Sequence, residues 1–345
     1  MTMGDEPVEI GILIYPEAQR AAIHGLTDLF HVANLMSEER GGRAPALLRV
    51  THWQMSADGR EVAKIFDSHP GPSAGPAALL LPPSLTTELP VGDRVGCLPD
   101  WIRSRHAAGA MICSICGGAY LLAESGLLDG RRATTHWSHA EQIAARFPLI
   151  RLDIGKLIID DGDIITSGAM MAWIDLGLKL VGRFMGPGIT LATARFMLVD
   201  PAGREQAFYT TFAPKLHHGD GAVLNIQHWL QAHHTDRISL QIMAARAGMG
   251  ERTFLRRFQK ATGLNPTEYL QQLRIAKARE LLEISSLKVE QVAWQIGYED
   301  PGAFRKIFRR ILGLSPGEYR RRFFVGDLEE SRAATPLEAA TSLPA

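Results

Sequence analysis

The sequence predicts an α/β sandwich followed by an all-helical domain that contains two helix-turn-helix units. The first half alternates short apolar runs of strand length with helical patterns, whereas the second half shows helical patterns only. The second half also repeats itself at an interval of about fifty residues. Strands that alternate with helices are typical of a mainly parallel sheet covered by helices. A length of 345 residues is enough for two such domains.

The elements predicted in the first half are buried strands, helices and one hairpin. The predicted strands are Val8 to Ile14, Ala77 to Leu81 and Ala110 to Cys113. The predicted helices are Gly25 to Met36, Pro99 to Ala107, Gly168 to Phe184 and, after a Gly-Pro-Gly break, Ile189 to Leu198. Two short apolar runs, Leu157 to Ile159 and Ile164 to Thr166, flank an acidic turn and indicate a hairpin. Tyr209 to Gly221 is a predicted linker, and the tail from Asp327 is predicted to be disordered.

The internal repeat consists of two related helix-turn-helix patterns. Gly263 to Tyr269 recurs as Gly313 to Tyr319, and the phenylalanine pair Phe254 and Phe258 recurs as Phe304 and Phe308. Two copies are too few for a solenoid, which needs at least about three repeats. In the first copy Ser239 can cap a short helix and Gly248 makes the turn, and Gly297 takes that place in the second copy. Asn265-Pro266 predicts the start of a long helix between the copies.

The formal net charge of zero hides an uneven distribution. Residues 237–324 hold 17 Lys and Arg against 8 Asp and Glu, whereas the remainder holds 20 against 29. Such asymmetry is expected when one part of a chain binds nucleic acid, and chance unevenness is the alternative. Three cysteines cannot form a disulfide framework, so a reducing, cytoplasmic setting is expected. No signal peptide and no membrane-spanning run is evident in the sequence.

Residues 237–324 resemble the DNA-binding domain of AraC-type transcription regulators. The resemblance runs through RTFLRRFQKATGLNPTEYL, LRIAKARELL and VAWQIGYEDPGAFRKIFRRILGLSP. It implies that Arg252, Leu255 and Arg256 face DNA bases, whereas the matching sites of the second recognition helix are Pro301, Gly302, Ala303 and Lys306. Three of those four cannot make long polar contacts, so we expect the first helix to carry more of the direct readout. The predicted DNA-binding residues are Arg252, Thr253, Leu255, Arg256, Lys260, Gly302, Ala303, Arg305, Lys306 and Arg309. The alternative is that these are solvated basic faces of a helical bundle.

The segment SICGG, residues 114–118, has the form of a nucleophile elbow around Cys116. A sharp turn from strand to helix needs small residues two positions before and after the nucleophile. The partial positive charge at a helix N-terminus favours a thiolate. From the residues alone, a functional thiol and a buried structural cysteine are about equally supported. A redox pair with Cys113, or a CxxC metal site, is disfavoured because Cys113 closes an apolar run and further ligands are lacking.

The first half resembles class I glutamine amidotransferase-like domains of the PfpI type, which implies a flavodoxin-like layout. The resemblance rests on SICGGAYLLAESGLLDGRRATTHW and DGDIITSGAMMAWIDLGLKLV. Both halves together resemble the GlxA subgroup of AraC-type regulators. The resemblance implies that Cys116 matches the nucleophile and His136 the nearby histidine of the enzymes. The alignment places Ala22 where the enzymes carry an acid, and Glu17 and Asp28 occupy other positions, so Cys116 and His136 are predicted to be vestigial.

The function predicted from these features is sequence-specific, DNA-binding transcription regulation controlled by a small metabolite. The predicted effector pocket comprises Cys116, Gly117, Gly118 and His136, with no cofactor and no metal. The predicted partners are double-stranded DNA at a promoter operator, a small-molecule effector, a second copy of the chain and RNA polymerase. The predicted domains are 1–185 (sensor), 186–222 (connector), 223–325 (DNA-binding) and 326–345 (tail). The alternatives are a cysteine-dependent amidase or hydratase fused to a DNA-binding domain and, ranked last, an architectural DNA binder.

Overall fold

The computed structural model describes residues 7–39, 47–85, 95–200, 206, 209, 212 and 214–325. The chain divides into two compact units, residues 1–206 and 207–345. The predicted disordered tail lies outside the described residues. None of the helices in the described ranges has the length and apolar character needed to cross a membrane.

The first unit is built on a seven-stranded sheet. The strands of the first unit are β1 Val8–Ile14, β2 Leu48–Met55, β3 Val62–Asp67, β4 Ala78–Leu81, β5 Met111–Ile115, β6 Arg132–Ala133, β7 Arg151–Leu152, β8 Ile158–Asp160 and β9 Ile164–Ser167. The order in the large sheet is β3-β2-β1-β4-β5-β9-β8. The inner neighbours pair in parallel, whereas β3 and β8 are antiparallel edges. β6 and β7 form a separate two-stranded sheet. The α/β fold class and the predicted hairpin of β8 and β9 are confirmed.

Two groups of helices cover this sheet. The helices of the first unit are α1 Arg20–Glu38, α2 Leu98–Ala107, α3 Gly118–Glu124, α4 Ala140–Arg146, α5 Trp173–Met185 and α6 Pro187–Phe196. α1, α5 and α6 pack on one another, and α2 packs against α3. α5 begins five residues later than predicted, and the Trp173 ring at its start fills the space beside Gly25 of α1. A Cβ at Gly25 would lie 2.4 Å from that ring.

Sequence analysis missed the strands β2 and β3. β2 carries Arg49 and His52, which are 2% and 6% exposed, so it does not have the apolar pattern of a buried strand. Arg49 pairs with Asp67 at 2.5 Å, and His52 Nε2 lies 2.9 Å from Thr27 Oγ1. Because these partners are distant in sequence, the burial of the two polar side chains could not be anticipated. β3 is an exposed edge strand without a buried face.

The second unit is helical and has two separate apolar cores. The helices of the second unit are α7 Gly221–His233, α8 Leu240–Arg246, α9 Glu251–Thr262, α10 Pro266–Ile284, α11 Val289–Gln295, α12 Pro301–Leu312 and α13 Pro316–Phe323. Phe254, Phe258 and Tyr269 lie in the first core, and their repeat equivalents Phe304, Phe308 and Tyr319 lie in the second. α10 contributes to both cores. The two predicted helix-turn-helix units are confirmed.

The turns and caps of the repeat follow the predicted pattern. Ser239 caps α8 by accepting from the Ile242 N–H, and Asn265 caps α10 in a capping box with Glu268. Gly248 and Gly297 have φ of 66° and 85°, a backbone conformation that glycine adopts without steric cost. A Cβ at Gly297 would also lie 2.5 Å from the Thr235 carbonyl oxygen. The second turn therefore requires glycine for both its backbone angle and its close packing.

Candidate functional site

Cys116 lies in a sharp turn between a strand and a helix. β5 ends at Ile115, α3 begins at Gly118, and Cys116 has a φ of 52°. A left-handed conformation costs about 1–2 kcal/mol for a residue with a Cβ, so its contacts must hold it in place. Its N–H donates to Ser167 O at 2.7 Å, and its carbonyl accepts from Thr135 Oγ1 at 2.9 Å. The predicted strand-turn-helix geometry is confirmed.

The two glycines after Cys116 allow α3 to approach the end of β4. A Cβ at Gly118 would lie 2.3 Å from Leu81 O and 2.7 Å from Pro82 O. A Cβ at Gly117 would lie 3.0 Å from the Ser84 side chain. Since the nearest atoms at Gly118 belong to backbone, they cannot move aside cheaply. These glycines serve close packing, and both are buried.

The Cys116 thiol is buried, and burial disfavours its ionised form. The residue is 1% exposed, and burial raises its pKa to about 11. The Gly117 N–H at the start of the α3 turn lowers the pKa of the thiol, but this effect is smaller than that of burial. Cys113 is also buried, its pKa is raised to about 12, and both residues are free cysteines. At neutral pH both side chains are therefore neutral thiols.

The position predicted to have lost an acid is occupied by a buried alanine. Ala22 is 0% exposed in α1, and the side chains of Glu17 and Asp28 are exposed. Among the described residues, no carboxylate contributes to the pKa shift of Cys116. The polar neighbour that the sequence did not indicate is Tyr15, whose hydroxyl donates to Pro82 O. Burial, together with the nearby Cys116, raises the pKa of Tyr15.

His136 lies in the loop that follows β6 and is half-buried. Its Nδ1 is 2.7 Å from Ser138 Oγ, and its ring stacks at a tilt against Trp137. Burial, and to a smaller extent the neighbouring His139, lower the pKa of His136, so the ring is neutral at pH 7. Within the described ranges, no hydrogen bond joins His136 to Cys116. The loop of His136 is joined to Cys116 by the preceding residue, Thr135, whose hydroxyl donates to the Cys116 carbonyl oxygen.

The predicted DNA-contacting residues of α9 lie on its exposed face. Arg252, Thr253, Arg256 and Lys260 are exposed, and Leu255 is half-buried beside them. In the described part of the chain, no carboxylate pairs with Arg252, Arg256 or Lys260. The adjacent Arg257 instead holds Asp220, the N-cap of α7, through two hydrogen bonds of 2.9 and 2.8 Å. The exposed side chains of Arg252, Arg256 and Lys260 therefore form a cationic stripe along α9, whereas Arg257 of the same helix is bonded to Asp220.

α12 presents a different surface from α9. Gly302, Ala303, Arg305, Lys306 and Arg309 are exposed, but Arg305 pairs with Glu290. The carboxylate of Asp300 accepts from the N–H groups of Gly302 and Ala303 and so occupies the N-terminus of this helix. The N-cap of α9 is Gly250, which makes no side-chain cap, and the acidic residue of its first turn is Glu251. The beginning of α12 thus carries a negative charge that α9 lacks at its N-cap.

Each unit matches a known protein family. Residues 94–183 match the DJ-1/PfpI family, and residues 243–322 match a helix-turn-helix domain family. This chain joins a DJ-1/PfpI domain to an AraC-type helix-turn-helix domain. The family match of the first domain covers the elbow and His136, and that of the second covers α9 and α12. The predicted resemblance to both families is confirmed.

Its relatives include transcription regulators of two bacterial species. The chain is 28% identical over 248 residues to the HTH-type transcriptional regulator CdhR of Pseudomonas aeruginosa, covering 72% of this chain and 70% of CdhR. It is 27% identical over 225 residues to the regulator GlxA of Rhizobium meliloti, covering 64% and 68%. It is 28% identical over 364 residues to the regulator ArgR of Pseudomonas aeruginosa, covering 97% and 99%. These relatives favour a regulator over an enzyme.

Proposed function

We propose that this chain is a transcription regulator that binds promoter operators in double-stranded DNA and senses a small metabolite through its DJ-1/PfpI domain. The observation that carries DNA binding is the exposed stripe of Arg252, Arg256 and Lys260 on α9. An arginine can bond guanine through two hydrogen bonds, and further cations neutralise phosphates. Because Asp300 caps α12 and Arg305 is paired, α9 supplies more of the base readout and α12 contributes backbone contacts.

The DJ-1/PfpI domain acts in this proposal as a sensor without catalysis. A nucleophilic cysteine must reach its substrate as a thiolate. Cys116 is 1% exposed with a pKa of about 11, and Ala22 stands where the resemblance places the enzymes' acid. Hydrolysis or hydration of small amides or unsaturated acids by the purified protein, abolished in Cys116→Ser, would contradict this part of the proposal.

The effector is proposed to act at the loop of His136, next to the elbow formed by Cys116, Gly117 and Gly118. Because these three residues are closely packed, the half-buried His136 is the accessible contact. The response reaches DNA as a coupling free energy between two sites, typically about 1–3 kcal/mol. A homodimer is part of the proposal, since two linked binding sites raise affinity through effective concentration.

DNA binding is tested with operators selected from a random duplex library by the full-length protein. Arg256→Ala should weaken binding to the selected sequence by about 5- to 150-fold, equivalent to about 1–3 kcal/mol, and relax preference at one base position. The control is Lys277→Ala, which removes a cation of α10 that pairs with Glu280. Equal effects of the two variants, or no effect of Arg256→Ala, would refute the assignment of α9.

Sensing is tested by a thermal-shift screen of metabolites, because a ligand stabilises the folded state by mass action. A hit whose stabilisation is lost in His136→Ala supports the proposed site. The control is His31→Ala, since His31 lines a separate cavity of about 220 Å³ beside α1 and β2. Loss of the response in His31→Ala, with His136→Ala unaffected, would move the effector to that cavity.

A further inference from the structure

Gln206, the last residue of the first unit, has a side chain that is buried at the edge of the elbow. The residue is 1% exposed although it is the point at which the chain passes to the second unit. Its Nε2 donates to Thr135 O at 3.0 Å and to Ile154 O at 2.8 Å, and its Oε1 accepts from Trp137 N–H at 3.1 Å. Both amide hydrogens and the carbonyl oxygen are therefore bonded to backbone groups.

The three backbone groups distinguish a primary carboxamide from groups of similar shape. Two carbonyl oxygens accept and one N–H donates, which matches an NH₂ group beside a C=O. A carboxylate would place an anionic oxygen against two carbonyl oxygens, and a methyl group would leave all three backbone groups unpaired. Buried polar groups without partners are costly, so this arrangement favours an amide.

A glycine leaves the room that this amide needs. Gly168 follows directly after β9, and a Cβ there would lie 2.3 Å from Gln206 Nε2 and 3.0 Å from Thr135 O. The walls of the site come from segments that follow β6, β7 and β9. Three separate segments of the first unit thus meet around one side chain.

We infer that Thr135 O, Ile154 O and Trp137 N–H form a carboxamide-binding site, which the chain occupies with its own Gln206. The site is contiguous with the elbow, because Thr135 bonds Cys116 O through its hydroxyl and Gln206 through its carbonyl. His136 stands between the two residues, Thr135 and Trp137, that hold the amide. Gln206 therefore fastens the end of the DJ-1/PfpI domain to the loop proposed to meet the effector. This link to sensing rests on the proposed function, whereas the carboxamide site does not.

The test is to empty the site and refill it with a small molecule. Gln206→Ala removes a group equivalent to acetamide, so acetamide should bind this variant and raise its melting temperature. Acetate has the same shape without the two N–H donors and should not. Wild-type protein, whose site is filled, and Gln259→Ala, which alters an exposed side chain of α9, are the controls. Binding is followed by saturation-transfer NMR with acetamide or acetate alone.

The outcomes separate this inference from the proposed effector response. Acetamide binding by Gln206→Ala, but not by the controls, supports the site even if no metabolite binds near His136. Binding of acetate and acetamide alike, or of neither, overturns it. If Gln206→Ala does not fold, amide hydrogen exchange of the wild-type Trp137 N–H decides, because a bond to a buried amide oxygen predicts at least about 100-fold protection. Exchange at the rate of an unprotected amide also overturns the inference.

Discussion

Cys116 should react far more slowly than an ordinary cysteine. The perturbation is alkylation by iodoacetamide of a Cys97→Ser/Cys113→Ala variant, in which Cys116 is the remaining cysteine. The pKa of the thiol rises from 9.0 to about 11. Two pKa units correspond to about 100-fold less thiolate at neutral pH, and the burial of a side chain that is 1% exposed hinders the reagent further. We therefore expect alkylation at pH 7 to be at least about 100-fold slower in folded protein than in the same chain unfolded in guanidinium chloride.

The pH dependence of the alkylation rate tests separately whether the pKa of Cys116 is raised. Because burial disfavours the charged form, the thiolate fraction should still rise about tenfold per pH unit between pH 7 and pH 10. Mass spectrometry of quenched samples measures the rate at each pH, with the unfolded chain as reference. Equal rates in folded and unfolded protein at pH 7, or a plateau below about pH 8.5, would refute the argument and favour the enzyme alternative.

Three further predictions concern stability, measured as the free energy of unfolding in urea. Gly118→Ala should cost about 3 kcal/mol because the new Cβ would lie 2.3 Å from a backbone oxygen, whereas Gly155→Ala, with no neighbour closer than 3.5 Å, should be tolerated; similar costs would contradict this. Asp67→Asn should cost about 3 kcal/mol because it removes the carboxylate that is bonded to the buried Arg49, whose side chain is 3% exposed. The guanidinium of Arg49 holds the pKa of Asp67 well below its usual range, so the stabilisation is present above about pH 3.8 and is lost as pH falls further. The same loss of unfolding free energy at acidic pH in Asp67→Asn as in the wild type would be inconsistent with this. Asn265→Ala should cost about 1 kcal/mol by removing the cap of α10, and a loss below about 0.3 kcal/mol would show that the cap is unimportant.

Elements governed by local periodicity could be predicted from the sequence. β1 has the predicted bounds, and α9 and α12 follow from the repeated phenylalanines that face their cores. β2 could not be predicted, because Arg49 and His52 are buried by partners that the chain brings from elsewhere. For the same reason Gln206 was missed: its three bonds cross 52 to 71 residues of sequence.

The candidate site was predictable in outline but not in its environment. The spacing around Cys116 indicates the turn, and the structure shows it. The burial of the thiol, which is 1% exposed, comes from segments that are distant in sequence, such as that of Tyr15, and no local pattern encodes it. The helix N-terminus was expected to favour a thiolate, and its contribution does lower the pKa, but burial has the larger effect.

The helical domain has two separate cores, so one helix-turn-helix unit can change its exposed residues without loss of the other unit's packing. Phe304, Phe308 and Tyr319 lie in the core of the second helix-turn-helix unit, while its exposed positions 302 and 303 hold only glycine and alanine. Under the proposed function, one helix-turn-helix unit can therefore make few base contacts and still be folded beside the other. Arg252 and Arg256 belong to neither core, so we expect substitutions there to cost little folding free energy while, under the proposed function, they change the DNA sequence that is bound. If the proposed function holds, the duplicated architecture is therefore well suited to acquiring new operators.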